Sequence, residues 1–127
     1  MKRIFKTRTF SRWMRKAGLD DQALCQAVSE MAEGLIDADL GGNVVKKRVP
    51  LPGRGKRGGA RTIVATNRGN RWFFLYGFEK NERANIDKDE IKALQELAAE
   101  YLAIDGQGIE QAVSSGKFME VSDGNKT

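Results

Sequence analysis

Lys46 and Arg48 stand two residues apart in "VVKKRV". In a strand their side chains leave the same face, and Lys47 leaves the opposite one. Arg61 closes the run "GRGKRGGAR" (Gly53–Arg61), in which four glycines are interspersed with four cations and no acid, and the run leads straight into "TIVAT". If the two segments pair, Lys46, Arg48 and Arg61 converge on one patch of a rigid sheet. Such a cluster binds phosphate through charge-assisted hydrogen bonds and holds its own geometry. Arg54, Lys56 and Arg57, earlier in the run, belong to a mobile loop able to close on the same anion; a solvated cationic loop is the competing reading. Lys80 and Asn81 follow the apolar strand "RWFFLYGF". A lysine at a strand end among other cations is a candidate proton carrier, although Lys80, Glu82 and Arg83 also read as plain exposed charges. Trp72, Phe74, Tyr76 and Phe78 alternate along that strand and are expected to share one face. They suit a core, and Tyr76, with its polar tip, is the best placed of them to stack on a nucleobase.

The 127 residues include no histidine. That removes the usual acid–base side chain near neutral pH, the Ser-His-Asp and Cys-His nucleophile pairs and the common zinc sites. Cys25 is the single cysteine, so neither an internal disulfide nor a cysteine metal cluster is available, and its place on the apolar side of a helix makes it packing. The glycine-rich run is not a P-loop, because it lacks the Gly-Lys-Ser/Thr ending and opens a strand instead of a helix. The same objection excludes a dinucleotide fingerprint.

Charge is blocked along the chain. Residues 1–19 carry seven cations and no acid, 20–39 six acids and no cation, 40–78 nine cations and no acid, and 79–127 six cations against eleven acids. The net charge is +5, yet the alternation allows one strongly positive face, suited to a polyanion. No apolar run reaches membrane-spanning length and no signal-peptide core follows the basic start, so a cytoplasmic protein without membrane partners is expected.

The elements that must position these residues follow from periodicity. A short strand is expected over residues 1–7. Phe10, Trp13, Met14 and Ala17 share one helical face that stops at Gly18; Leu24, Ala27, Val28 and Met31 form a second stripe between Asp20 and Gly34. Residues 35–43 read as loop. A strand at Val44–Val49 is stopped by Pro50 and Pro52, "ARTIVAT" is another, "NRGN" a turn with Gly69 and its asparagines in positive φ, and "RWFFLYGF" a central strand. Asp87 caps a helix whose Ile91, Leu94, Ala98 and Tyr101 share a face, and one or two helical turns and a frayed end follow. The fold class is α+β: a small antiparallel sheet packed against an N-terminal helical hairpin and a C-terminal helix.

The succession "VKKRV…GRGKRGGARTIV…RWFFLYGFEKNERANI…EIKAL" resembles the RelE/ParE toxin superfamily, in particular its HigB-like, RelE-type branch from bacterial type II toxin–antitoxin pairs. The resemblance covers a domain over roughly residues 1–103 and leaves 104–127 as a short helical extension and flexible tail. It implies a metal-independent endoribonuclease, without cofactors, that cuts messenger RNA on the ribosome and inhibits translation. In that chemistry a 2′-hydroxyl attacks the adjacent phosphorus. The resemblance makes Lys46 and Arg48 the pair that holds and activates the phosphate, Arg61 the stabiliser of its extra charge and Lys80 the proton carrier. It also implies a cognate antitoxin, carrying a helix-turn-helix domain in HigB-like pairs. Asn81 departs from the pattern, since several RelE-type enzymes have an arginine there and a stacking tyrosine beyond it; either Arg57 or Arg54 compensates or turnover is slow. Two other readings remain open: a toxin of the same fold that poisons DNA gyrase, as ParE toxins do, and a basic RNA-binding module without chemistry.

Overall fold

Residues 2–53 and 55–122 are described by a computed structural model, residues 55–58 through their backbone alone. The chain runs β1 (Arg3–Thr7), α1 (Arg8–Ala17), α2 (Asp21–Ala32), β2 (Ala38–Gly41), β3 (Val44–Leu51), β4 (Gly55–Thr66), β5 (Arg71–Glu79), α3 (Lys88–Leu102), α4 (Gly106–Ser114) and β6 (Phe118–Val121). Each helix starts on a side-chain cap: Thr7 accepts from the Phe10 amide at 3.1 Å, Asp20 from Ala23 at 2.9 Å, Asp87 from Glu90 at 2.8 Å and Asp105 from Gly108 at 2.7 Å. Gly18 ends α1 at φ 82°, a left-handed position that glycine adopts without steric cost.

One six-stranded sheet in the order β2-β3-β4-β5-β1-β6 forms the middle layer of an α+β fold. The hairpin α1–α2 lays Phe10, Met14, Leu24, Val28 and Met31 on one face, against Val45, Val49, Val64, Trp72 and Phe74. The opposite face carries Phe5, Val44, Ile63, Phe73 and Phe118, with Ala98, Tyr101 and Ile109 from α3 and α4. Phe5, Phe73, Tyr101 and Phe118 form an aromatic cluster there, with ring centroids 4.8–6.2 Å apart. Among the described residues, no helix is long and apolar enough to cross a membrane.

The elements depart from the sequence reading in several places. The expected loop over residues 35–43 contains β2, a short edge strand closed onto β3 by Gly41, Gly42 and Asn43 in positive φ and held to α3 by the Gln95 amide donating to the Leu40 carbonyl at 2.9 Å. Pro50 does not stop β3. β2 pairs only with Val44–Lys46, so the outer edge of β3 near Pro50 needs no ladder donor, and the register on β4 shifts between Val49 and Leu51. The glycine-rich run is not a loop: β4 begins at Gly55. In the "NRGN" turn the Asn67 side-chain oxygen accepts from Gly69 at 2.9 Å and Arg71 at 3.2 Å, and Arg68, not Gly69, takes positive φ at 61°. The sheet is mostly antiparallel, but β1 lies parallel to β5. Residues 118–121, read as frayed end, are β6, antiparallel to β1, and α4 spans nine residues before it.

Candidate active site

The register of β3 on β4 sets Arg48 directly opposite Arg61 and Lys46 opposite Ile63. Ile63 packs on the α3 side of the sheet, so Lys46, Arg48 and Arg61 all leave that face, as their spacing requires. Lys47 leaves the other face. It is buried, with Nζ 2.8 Å from Glu30 Oε1 and donating to the Leu35 carbonyl at 3.0 Å. The Lys47 ammonium, with help from Gln26, holds the Glu30 carboxyl below the usual carboxylate range.

Two arginines facing each other across a ladder repel, and the arrangement costs stability unless an anion lies between or above them. Among the described residues, no carboxylate neutralises them. Arg3, Lys6, Lys47, Arg68, Arg83 and Lys117 each pair with a carboxylate. Among the described residues, Lys46, Arg48, Arg61 and Lys80 have no such partner. Arg61 is the extreme case: its Nη1 is enclosed and has no hydrogen-bond acceptor among the described residues. A buried donor without an acceptor is costly and rare, and at a cationic cluster it marks a place shaped for an anion.

Lys80 and Asn81 lie exposed in the turn just past β5. Glu82 fastens that turn: its carboxylate accepts from the Glu79 amide at 3.0 Å, and its amide donates to the Glu79 carbonyl at 2.9 Å. Because Phe78 lies opposite Arg61 and Glu79 opposite Ala60, the turn is placed at the same end of the sheet as Arg48 and Arg61.

The four aromatics of β5 do not share a face. A register shift opposite Ile63 and Val64 leaves Leu75 unmatched, so Trp72 and Phe74 face α1 while Tyr76 and Phe78 face α3. Trp72, Phe74 and Phe78 are core, and Tyr76 stays partly exposed on the face of the basic cluster. Arg54 lies outside the described residues, as do the side chains of Lys56 and Arg57, whose backbone belongs to β4.

Arg83 is the residue that sequence reasoning passed over as an exposed charge. Its guanidinium lies over the Phe78 ring at 5.7 Å, approaches the Tyr76 hydroxyl at 3.3 Å, donates to the Asn85 carbonyl at 2.9 Å and forks onto both oxygens of Glu90. Those bonds hold the Glu90 carboxyl down at about 2. Glu90 also closes the capping box of α3, so one carboxylate ties the Lys80 turn, Tyr76 and the helix start together. The visible signal for it was the "DKDE" capping pattern. A cavity of about 200 Å³ lined by Tyr76, Ile86, Glu90, Ala93 and Leu94 opens beside this clasp. Among the described residues, no group of three or more Asp, Glu or Cys is placed to hold a metal ion.

No curated protein matches the chain. The family model described as the RelE toxin of the RelE/RelB toxin–antitoxin system matches residues 2–121, a span that takes in α4 and β6 together with the basic face. The chain therefore belongs to the RelE toxin family, whose members are the toxins of toxin–antitoxin pairs.

Proposed function

We propose that this toxin is a metal-independent endoribonuclease that cuts messenger RNA on the ribosome, and that its cognate antitoxin, in the manner of HigB-like pairs, carries a helix-turn-helix domain. The observation that supports the cleavage reading is the trio Lys46, Arg48 and Arg61 on one sheet face without a carboxylate, with Arg61 Nη1 enclosed and unpaired.

The 2′-oxygen attacks the adjacent phosphorus; the new O2′–P bond forms as the P–O5′ bond breaks. The products are a 2′,3′-cyclic phosphate and a 5′-hydroxyl; the proton lost by the 2′-hydroxyl passes to solvent water, and one is delivered to O5′. Lys46 and Arg48 grip the non-bridging oxygens and draw charge from phosphorus. Arg61, held by its strand, meets the extra negative charge of the transition state, where a fixed donor is worth most. Lys80, in the exposed turn at the same end of the sheet, gives the leaving 5′-oxygen its proton. Tyr76 offers a stacking surface and Asn81 a hydrogen bond to the substrate. Asn81 cannot supply charge and Arg83 is committed to Glu90, so the compensating cation is Arg57 or Arg54 on the glycine-rich run. Cleavage unchanged in an Arg57→Ala, Arg54→Ala double variant would remove that role.

The chemistry is tested at the cut ends. Fragments released by the protein should accept label from a polynucleotide kinase without prior phosphatase treatment, because they begin with a 5′-hydroxyl. Fragments that begin with a 5′-phosphate would rule this mechanism out.

A further inference from the structure

The first basic block of the sequence is not used by the site described above. Helix α1 places Arg8, Arg12, Arg15 and Lys16 within about 100° of its circumference and over about 12 Å of its axis. All four are exposed, and α1 contains no acid. Among the described residues, none of the four has an ion-pair partner. Part of the arrangement is unfavourable for the helix itself, although Arg15 and Lys16 in the last turn suit the negative end of the dipole. Arg8 and Arg12, and Arg12 and Lys16, are like charges at i,i+4, and Arg8 sits at the positive end of the helix dipole. The opposite side of α1 packs Phe10 and Met14 into the core, so the helix is anchored firmly enough to carry that repulsion.

We infer that the outer face of α1 is a docking surface for the phosphate backbone of double-stranded RNA. Four cations over about 12 Å match the three to four phosphates that one strand of a duplex presents over that length, at about 3.4 Å each on the B-DNA scale. The exposed residues of α1 are Arg8, Thr9, Arg12, Arg15 and Lys16, with no apolar anchor among them. A protein partner would need a desolvated apolar centre; a phosphate backbone needs none. The face is also well placed. Thr7 Oγ1 donates to the Leu75 carbonyl at 3.3 Å, Phe10 packs on Phe74 at 5.2 Å, and the Trp13 ring covers Gly77, so α1 runs along β5 toward the Lys80 turn. The cationic face and the cluster of Lys46, Arg48 and Arg61 thus lie on opposite sides of one sheet, with the last turn of α1 near the end where the cluster opens. A structured RNA held on α1 leaves the cluster free for a single strand beside it.

The test uses the full chain and a 20-base-pair RNA duplex, with binding followed by fluorescence anisotropy across a salt series. The quadruple variant Arg8→Gln, Arg12→Gln, Arg15→Gln, Lys16→Gln should bind at least tenfold more weakly, with a log–log salt slope shallower by about three. A charge-keeping variant, Arg8→Lys, Arg12→Lys, Arg15→Lys, should retain both the affinity and the slope, which separates lost charge from lost folding. In cleavage of ribosome-bound message, the quadruple variant should need a tenfold higher concentration of ribosomes for half-maximal rate and reach the same maximal rate. Equal duplex affinity and slope for wild type and the quadruple variant would overturn the inference. So would loss of antitoxin binding in that variant with duplex binding intact, which would assign the face to a protein. Duplex binding that depends on α1 in a protein that cuts no message would instead leave the inference standing and refute the ribonuclease reading.

Discussion

Arg61 carries opposite consequences for stability and for activity. Its unpaired Nη1 is a cost to the fold of about 1–3 kcal/mol, so Arg61→Ala should leave the melting temperature unchanged or raise it while message cleavage falls about 10²–10³-fold. Thermal unfolding and initial cleavage rates on the same preparation check both halves. Glu90 behaves otherwise. Its folded value is depressed to about 2 by Arg83, so the Arg83–Glu90 clasp stabilises the protein fully above the ordinary carboxylate range, and that stabilisation is lost progressively as pH falls from there through about 2. An NMR titration should find the Glu90 carboxylate still ionised at pH 3.5. A midpoint near 4.3 would show the clasp to be open in solution. Lys46, Arg48 and Arg61 could be placed on one face from the sequence because a strand repeats every two residues. Arg83 could not: its partner Glu90 lies across a turn, and the aromatic ring beneath it reaches that face only through the register shift at Leu75.

At the scale of elements, the close approach of α1 to β5 depends on Gly77. A Cβ there would overlap the Trp13 ring. Gly77→Ala should destabilise the fold by about 1–3 kcal/mol, read as a lower denaturant midpoint, and the Trp13 emission should shift as the ring is displaced. The helices and long strands were legible because their apolar stripes and caps are local: Asp20 and Asp87 each announce the helix that follows, while the Thr7 cap of α1 emerged only in the structure. β2 and β6 were not. Each is four residues long, and "ADLG" and "FMEV" become strands only because β3 and β1 offer them an edge. The glycine-rich run misled for the same reason, since its pairing with β3 overrides the weak strand preference of glycine.

The whole molecule is one sheet that collects cations on two surfaces and spends its acids elsewhere. Its far edge is fastened by Arg3, which donates to Glu120 at 2.8 and 2.9 Å and to Glu110 at 2.8 Å, joining β1 to β6 and α4. With two carboxylates on one guanidinium at a partly exposed site, the clamp is worth about 1 kcal/mol. Arg3→Ala should therefore speed amide exchange over residues 118–121 about fivefold and leave β3–β4 exchange unchanged. The proposed activity of the basic face is cleavage of message during translation. The most direct measurement adds purified protein to a translating cell-free mixture and maps the message by primer extension, beside Arg61→Ala and a free-message control. Discrete cuts at codon spacing that need translation and vanish in the variant are the predicted result. Intact message with translation undisturbed would contradict it.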